Sequence, residues 1–538
     1  MRGYLAAGRT WHILALSAIA LFFLFLAAQA EPSRMVDAGE ILKKIELGQP
    51  VDYQNVIVTG DLDLNRVAAL SLPAQRTAQK SSAGMAVVAS PISITNSIIL
   101  NDVNFSSVIL ENVINFQGTK FNDIAKFSDA QFRQEAKFER AQFNQTADFS
   151  GAQFERRAGF FPVQFRQDAI FTQVKFNQTA DFKNVQFNQK ADFVGTWFQQ
   201  NVLLWRAKFD GTVHFNGAQF IQTADFKRAE FNQSADFLAA QFNQTARFSD
   251  TKFRQYAEFR KAEFKETALF DGAQFNKTAR FSDITFHQYA EFSQAQFIET
   301  ANFERANFNQ ESNFENAIIG NAIFNHSQFS KDVSFDNASI KDLSLKGSDL
   351  EKLDIRWSSI HDLAYDDSAY NLLRKNLDAR GYLDDASDCE YSYRCKHRAD
   401  LWRQGKLGMW SLDFLAWASY GYGLKPQWPL YWSISLILLG GLFFFSTRSV
   451  VRSGQCPGPS ENKSPAASDK GEETPGSVSI WESLLLSATY FTSGASSIIS
   501  ATHTEIVPVG RGRYVVVLLR LLGWIFFVIF LSSLTRAV

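Results

Sequence analysis

The chain has few cysteines, almost no excess of either charge, and no cluster of side chains typical of a metal site. Three cysteines in 538 residues exclude a disulfide-rich scaffold. The formal net charge is −1, so the overall composition gives no reason to expect a nucleic-acid partner. Three histidines of the repetitive region stand at unrelated spacings without neighbouring cysteines or carboxylate clusters, so no metal site is predicted there: His214, His287 and His326.

The sequence also contains no nucleophile–base pair, phosphate-binding loop or paired carboxylates. We therefore expect a protein that is not an enzyme, with no catalytic residues, no cofactor and no cofactor-binding residues. The length is too great for one ordinary domain, and about three parts are expected on that ground alone.

What the chain does contain is an eleven-residue phrase, Ala-x-Phe-x-x-Ala-x-Phe-x-x-x, repeated from about Ala125 to Phe314. A helix would need apolar residues three, four and seven apart, and a half-buried strand every second residue, so neither explains the pattern. A fixed short period predicts a solenoid whose units bury their apolar residues by stacking on their neighbours. The phenylalanines then form a structural ladder with alternating spacings of five and six residues, which begins Phe127, Phe132, Phe138, Phe143, Phe149 and Phe154.

The phrase resembles that of the pentapeptide-repeat family, A-(D/N)-(L/F)-x-x, from about Leu100 to Ile360. This resemblance implies a mainly β fold over residues 100–360, a right-handed quadrilateral β-helix with the Phe and the preceding small residue pointing inward. One extra residue in every second unit predicts coils of about 22 residues instead of 20. The spacing returns to five near the end, at Ile340, Leu345, Leu350, Ile355 and Ile360.

The outward positions of such a β-helix are polar and electrically balanced. Between Phe116 and Phe335 there are 25 lysines and arginines and 25 aspartates and glutamates. Some pentapeptide-repeat proteins resemble DNA through strong negative charge and inhibit topoisomerases, and the balance here argues against that role. Asparagines of several N-x-S/T triplets match the glycosylation pattern, but they recur in register, which favours a structural role at the corners: Asn144, Asn177, Asn232, Asn243 and Asn276.

The N-terminal region has two predicted parts. Residues 1–30 have the layout of a secretory signal peptide, with an uncleaved anchor as the alternative. Residues 31–99 are expected to form a cap with a helix at about Ala38 to Leu47, a first coil through Leu62 and Leu64, and a surface loop at 71–90.

Residues 361–427 are interpreted as a helical hairpin that covers the other end of the β-helix, its second helix ending near Gly405. Cys389 and Cys395 lie six residues apart on different faces of that helix, which favours two free or buried thiols over a disulfide. Gly421-Tyr422-Gly423 spells the core of a potassium-channel filter but precedes the first hydrophobic stretch. We therefore interpret it as a turn at the membrane surface.

The C-terminal part contains two predicted transmembrane helices, 428–447 and 514–538, separated by a flexible polar loop, 448–478, and a pore-helix-like segment, 479–513. This arrangement is similar to the two-helix pore module of potassium channels. The filter of that family is T-V-G-Y-G-D, because glycines let successive carbonyls face the ion. Here the filter position is degenerate, so potassium selectivity is not expected: Ser497, Ile498, Ile499, Ser500, Ala501, Thr502 and His503.

A signal peptide would place the repeat domain outside the cytoplasm and the polar loop inside, and arginines flanking the two spans support this orientation: Arg448, Arg452, Arg511 and Arg513. Arg520 is a charge within the second span, either at a pore or subunit contact or snorkelling to the interface. The predicted function is a membrane-anchored, non-enzymatic scaffold whose partners are the lipid bilayer, further copies through the membrane module and an unknown protein on the β-helix face. The alternative is a non-selective ion channel that the repeat domain caps or regulates.

Overall fold

The computed structural model describes residues 34–70, 85–425, 427–452, 478–492 and 506–537. The chain divides into two compact units, Met1–Leu372 and Leu373–Val538. The first unit is a parallel β-solenoid and the second is helical. The predicted signal peptide lies outside the described residues and stays a prediction.

A complete coil of the solenoid gives one short strand to each of four parallel ladders, so the mainly β, four-sided β-helix is confirmed. Ladder 1 consists of Val51–Gln54, Ile92–Thr95, Ile114–Asn115, Ala136–Lys137, Ala158–Gly159, Ala180–Asp181, Val202–Leu203, Ala224–Asp225, Ala246–Arg247, Ala268–Leu269, Ala290–Glu291, Ser312–Asn313, Val333–Ser334 and Leu353–Asp354. Ladder 2 consists of Arg34–Asp37, Val56–Thr59, Ile98–Ile99, Lys120–Phe121, Gln142–Phe143, Gln164–Phe165, Gln186–Phe187, Lys208–Phe209, Glu230–Phe231, Lys252–Phe253 and Gln274–Phe275.

Ladder 3 consists of Leu62–Asp63, Val103–Asn104, Ala125–Lys126, Ala147–Asp148, Ala169–Ile170, Ala191–Asp192, Val213–His214, Ala235–Asp236, Ala257–Glu258 and Ala279–Arg280. Ladder 4 consists of Ala86–Val88, Val108–Leu110, Gln131–Phe132, Gln153–Phe154, Lys175–Phe176, Trp197–Phe198, Gln219–Phe220, Gln241–Phe242, Glu263–Phe264, Thr285–Phe286, Asn307–Phe308 and Gln328–Phe329. Near the C-terminal end, ladders 2 and 3 merge in four strands, Gln296–Asn302, Ile318–Ile323, Ser339–Ser344 and Ile360–Leu363.

The strand register gives the length of a coil directly. Phe143 pairs with Phe165, one coil of 22 residues later, as the eleven-residue phrase predicts. The step falls to 21 residues between Asn307 and Gln328, and to 20 between Ile340 and Ile360, where the sequence returns to five-residue spacing. The coil length is therefore set locally by the number of residues in each repeat.

Two kinds of corner connect the four ladders. At a tight corner the Ala152 amide donates to the Phe149 carbonyl at 3.0 Å, and Gly151 has a φ of 68°. The equivalent residue of a neighbouring corner is Arg140, with a φ of 62°, so a side chain other than glycine is held in the left-handed region there. The second kind of corner, the wide corner, contains one residue more than the tight corner. This additional residue is the sixth residue of every second repeat unit.

The core of the solenoid consists of four stacks of phenylalanine rings. Rings one coil apart lie nearly parallel, as in Phe121 and Phe143, whose centroids are 4.5 Å apart with planes 3° apart. Rings of different stacks meet edge to face, as in Phe160 and Phe171 at 5.5 Å and 89°. Leu204 interrupts one stack, between Phe182 and Phe226. The ladder of phenylalanines predicted from the sequence is fully buried and structural.

Helix α1, Ala38–Glu46, forms where a helix is predicted, and the Asp37 carboxylate caps it by accepting from the Gly39 amide at 2.8 Å. The following coil differs from the prediction in two places. Leu64 begins helix α2, Leu64–Leu70, instead of continuing a strand. Ala86–Val88 forms a strand of ladder 4 within the predicted loop, because Val88 is buried in the core. Residues 71–84 of that loop lie outside the described part of the chain.

In the part of the chain that the structure describes, six further helices follow the solenoid: α3 Asp367–Ala379, α4 Leu383–Arg403, α5 Leu407–Tyr420, α6 Gln427–Thr447, α7 Ile480–Thr492 and α8 Gly512–Ala537. The hairpin prediction is incomplete, because a third helix, α5, precedes the membrane module. The residues Gly421–Gly423 form a 3₁₀ turn. Among the described residues, two helical segments are long and apolar enough to cross a bilayer, Gln427–Thr447 and Gly512–Ser532.

Candidate functional site

The outer faces of the solenoid carry ion pairs between neighbouring coils. Arg133 contacts Glu155, Arg157 contacts Glu135 and Lys252 contacts Glu230, each at 3.1–3.4 Å and one coil apart. Exposed pairs of this kind contribute about 0–1 kcal/mol each to stability. Their main effect is that opposite charges neutralise one another locally, so the faces are polar without a strong field of either sign.

Asparagines stabilise the wider corners, as the register of the N-x-S/T triplets predicts. The Asn144 side chain donates to the Asn122 side chain at 2.9 Å, and the Asn232 side chain donates to Asp210 at 2.6 Å. Asn177 donates to Glu155 at 2.7 Å. Each bond joins residues 22 apart, so these side chains link successive coils.

The helices of the membrane module pack through small residues. Gly440 and Gly441 of α6 face α7: a Cβ on Gly441 would lie 2.8 Å from the Leu484 Cα, and one on Gly440 would overlap the Ser487 hydroxyl. A Cβ on Gly523 of α8 would overlap the Phe491 carbonyl oxygen of α7. Glycine and serine at these contacts let the backbones approach closely, as is common between helices in membranes.

Helix α7 begins at the end of the module where α6 ends and α8 starts. There Val450–Arg452 and Ile506–Pro508 form a two-stranded antiparallel sheet, although the first of them falls within the predicted flexible loop 448–478. The Ser479 hydroxyl accepts from the Glu482 amide, and the Glu482 carboxylate accepts from the Ser479 amide at 2.8 Å, which is a capping box.

From this start α7 extends to about half the depth of the two long helices. Its contact with Gly441 is about 9 Å from the end of α6, and its contact with Gly523 is about 17 Å from the start of α8, at 1.5 Å per residue. With 13 residues it is about 20 Å long and too short to cross a hydrocarbon core of about 30 Å. It lies at the start of the segment 479–513, which the sequence predicts to resemble a pore helix.

The predicted filter position, Ser497–His503, lies outside the described residues, within the 13-residue link between α7 and Ile506. Arg520 is exposed on α8, and its guanidinium carbon lies 5.2 Å from the centroid of the Tyr490 ring of α7. This cation–π contact within one chain was not foreseen.

A cluster of polar and aromatic side chains surrounds the Gly421–Gly423 turn. Tyr422 is buried, and its hydroxyl donates to Asp413 at 2.5 Å and accepts from Arg398 at 3.0 Å. The Arg398 guanidinium stacks 4.3 Å from the Trp417 ring, whose Nε1 donates to the Tyr391 hydroxyl at 3.1 Å. The predicted turn is present, but no sequence pattern indicates that its tyrosine joins α4 to α5.

Burial and the Asp413 carboxylate raise the pKa of Tyr422 above its ordinary value of 10. The phenol therefore stabilises the fold fully below pH 10, and this stabilisation is lost as the pH rises towards the pKa of the folded state. We expect Tyr422→Phe to cost about 1–2 kcal/mol at pH 7, from the lost hydrogen bonds. Between pH 9 and 11 the melting temperature of the variant should fall less steeply than that of the unchanged protein. Equal slopes would show that Tyr422 does not titrate with unfolding.

Neither Cys389 nor Cys395 forms a disulfide, as predicted, and both lie on α4. Burial raises the pKa of the Cys389 thiol to about 12 and also raises that of Cys395. Neither thiol is activated as a nucleophile, because the thiolate form is suppressed. Among the described residues no group of three or more histidine, cysteine or acidic side chains is placed to hold a metal ion.

Comparisons with known proteins identify the solenoid but not the helical unit. The family described as Pentapeptide repeats matches in nine copies, over residues 116–164, 171–219, 204–252, 215–262, 248–296 and 292–339. No curated protein and no solved structure matches the chain significantly. The pore-like interpretation of the C-terminal module therefore has no support from a known family. The matches and the four-sided geometry together establish that residues 116–164 and 171–339 of this chain are pentapeptide repeats that form a β-solenoid.

Proposed function

We propose that the protein is a membrane-anchored scaffold, in which the solenoid presents polar faces for binding while α6 and α8 hold it in the bilayer. The observation that carries the proposal is the contrast between the two units. The solenoid buries the phenylalanines of its four stacks and has neutral polar faces, whereas α6 and α8 expose large apolar side chains such as Leu438, Leu442, Val517 and Leu521. Exposed apolar helices of spanning length are expected to face lipid or other copies of the chain.

The proposed orientation places the solenoid outside the cytoplasm. Arg448, Arg511 and Arg513 gather at the end of the module where α6 ends and α8 begins, which favours the cytoplasmic side for that end. The same orientation follows from the signal peptide predicted for residues 1–30. Non-enzymatic binding of a protein partner on the solenoid faces, and assembly of several copies through the membrane module, belong to this proposal.

The test is the topology of the full chain in intact cells, with a membrane-impermeant maleimide and single cysteines in a cysteine-free background. Gln241→Cys reports on the solenoid, Ser464→Cys on the loop and Val538→Cys on the C-terminus. We expect the first and third to react in intact cells and the second only after permeabilisation. Release of the chain by alkaline carbonate would contradict membrane anchoring itself.

A second candidate function is an ion channel, which the short helix α7 specifically favours. Labelling of Ser464→Cys from outside would contradict the proposed orientation and would put the link 493–505 on the side usual for a filter. In that case reconstituted protein should conduct ions, and Arg520→Ala or a change at Ser500 should alter the single-channel current. A scaffold should give oligomers of defined mass without current.

A further inference from the structure

The groove between α4 and α5 is not explained by anchoring or by scaffold function. It encloses about 340 Å³ and is lined by Cys395, Arg398, Ala399, Trp402, Arg403 and Trp410. The rings of Trp402 and Trp410 meet with centroids 5.0 Å apart, and 57% of Trp402 is exposed. The groove thus combines two guanidinium groups with an open aromatic wall.

The two arginines differ in their surroundings. Arg398 is held in place by the Tyr422 hydroxyl and the Trp417 ring, so its guanidinium is ordered before any ligand arrives. Arg403 is exposed at the end of α4 and makes no ion pair with any residue that the structure describes. Of the nearby carboxylates, Asp413 accepts from Tyr422 and Asp400 accepts from Gln404. The groove therefore contains the guanidinium of Arg403, which has no ion-pair partner among the described residues, beside that of Arg398, which is already held in place.

The outer face of α5 is apolar and exposed. Met409, Leu412 and Leu415 follow one another at intervals of three residues on this face, and their exposed fractions are 59%, 70% and 62%. With 14 residues, α5 is about 21 Å long, which is too short to span a bilayer and is typical of an interfacial segment. Such a helix is stable at the surface of a bilayer when its apolar face enters the acyl boundary.

Contacts with α6 fix the level of α5 relative to the first candidate span. The Trp432 Nε1 of α6 donates to the Ala418 carbonyl of α5 at 2.6 Å, and the rings of Trp417 and Trp428 are 5.4 Å apart. Tryptophans at the end of a span lie at the depth of the lipid headgroups. The apolar face of α5 therefore continues, at that depth, the exposed apolar surface of α6 that begins at Leu430 and Tyr431.

We propose that α5 lies in the headgroup layer of the bilayer and that the groove binds the phosphate of an anionic phospholipid. Arg403 and Arg398 donate to the phosphate oxygens, for which guanidinium groups have matching planar geometry. Trp402 and Trp410 pack on the glycerol and the upper acyl chain. The inference rests on α6 crossing the membrane, but it does not depend on what the solenoid binds.

The test is native mass spectrometry of the full chain in detergent, titrated with dioleoylphosphatidylglycerol and, separately, with dioleoylphosphatidylcholine. The anionic lipid should bind roughly 30-fold more tightly, since each of the two basic side chains near a lipid surface contributes about 1 kcal/mol. Arg403→Glu should reduce that preference at least about fivefold. Arg403 is chosen because Arg398 also supports the Tyr422 cluster.

Arg247→Glu is the matched control, because it makes the same change of charge at an exposed solenoid position. It should leave the preference unchanged. Equal binding of the two lipids, or an equal loss in both variants, would overturn the proposal. Displacement of the lipid by soluble glycerol phosphate at equal concentration would also overturn it, because the groove would then recognise a free phosphate ester. Release of the chain from membranes by alkaline carbonate would contradict the proposed function and, with it, the membrane span on which this inference rests.

Discussion

Phe237→Ala should open the solenoid locally, with amide exchange in its own and the adjoining coils accelerated roughly 10²- to 10⁴-fold, corresponding to about 3–5 kcal/mol. Phe237 is fully buried, and its ring stacks between Phe215 and Phe259 at 5.0 and 4.7 Å. Two more rings, Phe226 and Phe248, meet it edge to face at 5.5 Å. Alanine would leave a cavity that these four rings cannot fill, because ladder hydrogen bonds hold each coil in register.

Hydrogen–deuterium exchange of the full chain is the appropriate measurement, because a repeat array need not unfold in one step. Gln241→Ala is the control: this side chain lies on the same coil but points to solvent. It should change exchange by less than about twofold, as expected for an exposed site. If Phe237→Ala behaved like Gln241→Ala, the stacked core would not be the source of stability.

Gly523→Leu should separate α7 from α8 and destabilise the membrane module by about 3 kcal/mol or more. Even the Cβ of the new side chain would overlap the Phe491 carbonyl oxygen, and it would approach the Phe491 carbonyl carbon to 2.8 Å. Both are backbone atoms of a helix, so neither can rotate away as a side chain could. For a unit of this size the melting temperature should fall by roughly 6–12 °C.

Gly408→Ala is the matched control for this change, because a Cβ there meets nothing within 4 Å and the site also lies in a helix. It should be neutral or raise stability by about 0.5–1 kcal/mol through helix propensity. Melting of both variants can be followed by tryptophan fluorescence of the purified chain in detergent. A Gly523→Leu variant as stable as Gly408→Ala would mean that α7 and α8 do not pack as described.

The solenoid could be predicted from the sequence because its interactions repeat. Each inward alanine or phenylalanine is at a fixed position in the eleven-residue phrase. The spacing of these residues therefore predicts which side chains form the core, the 22-residue coil and the shorter coils near Ile340. Backbone conformation at the corners could not be predicted in this way. Arg140 and Ala239 adopt positive φ although neither residue favours it, because the surrounding ladders impose the turn.

The helical unit was predicted less completely, for a different physical reason. The start of α7 was visible because Ser479 and Glu482 form a local signal three residues apart. The cluster around Tyr422 depends on Arg398 and Asp413, which lie 24 and nine residues away on two helices. Such contacts arise from tertiary packing, which leaves no periodic pattern in the amino-acid sequence.

Each coil of the solenoid adds one strand spacing, so the number of coils sets the length of the solenoid. Ladder 1 contains 14 strands, and at about 4.8 Å per step it extends for about 62 Å. Loss or gain of one 22-residue coil would change this length by one step and leave the faces aligned. Loss of eleven residues would instead turn everything beyond it by half a revolution, because tight and wide corners alternate twice per coil. Such a rod can change its reach in evolution without changing what either end contacts, provided that whole coils are exchanged.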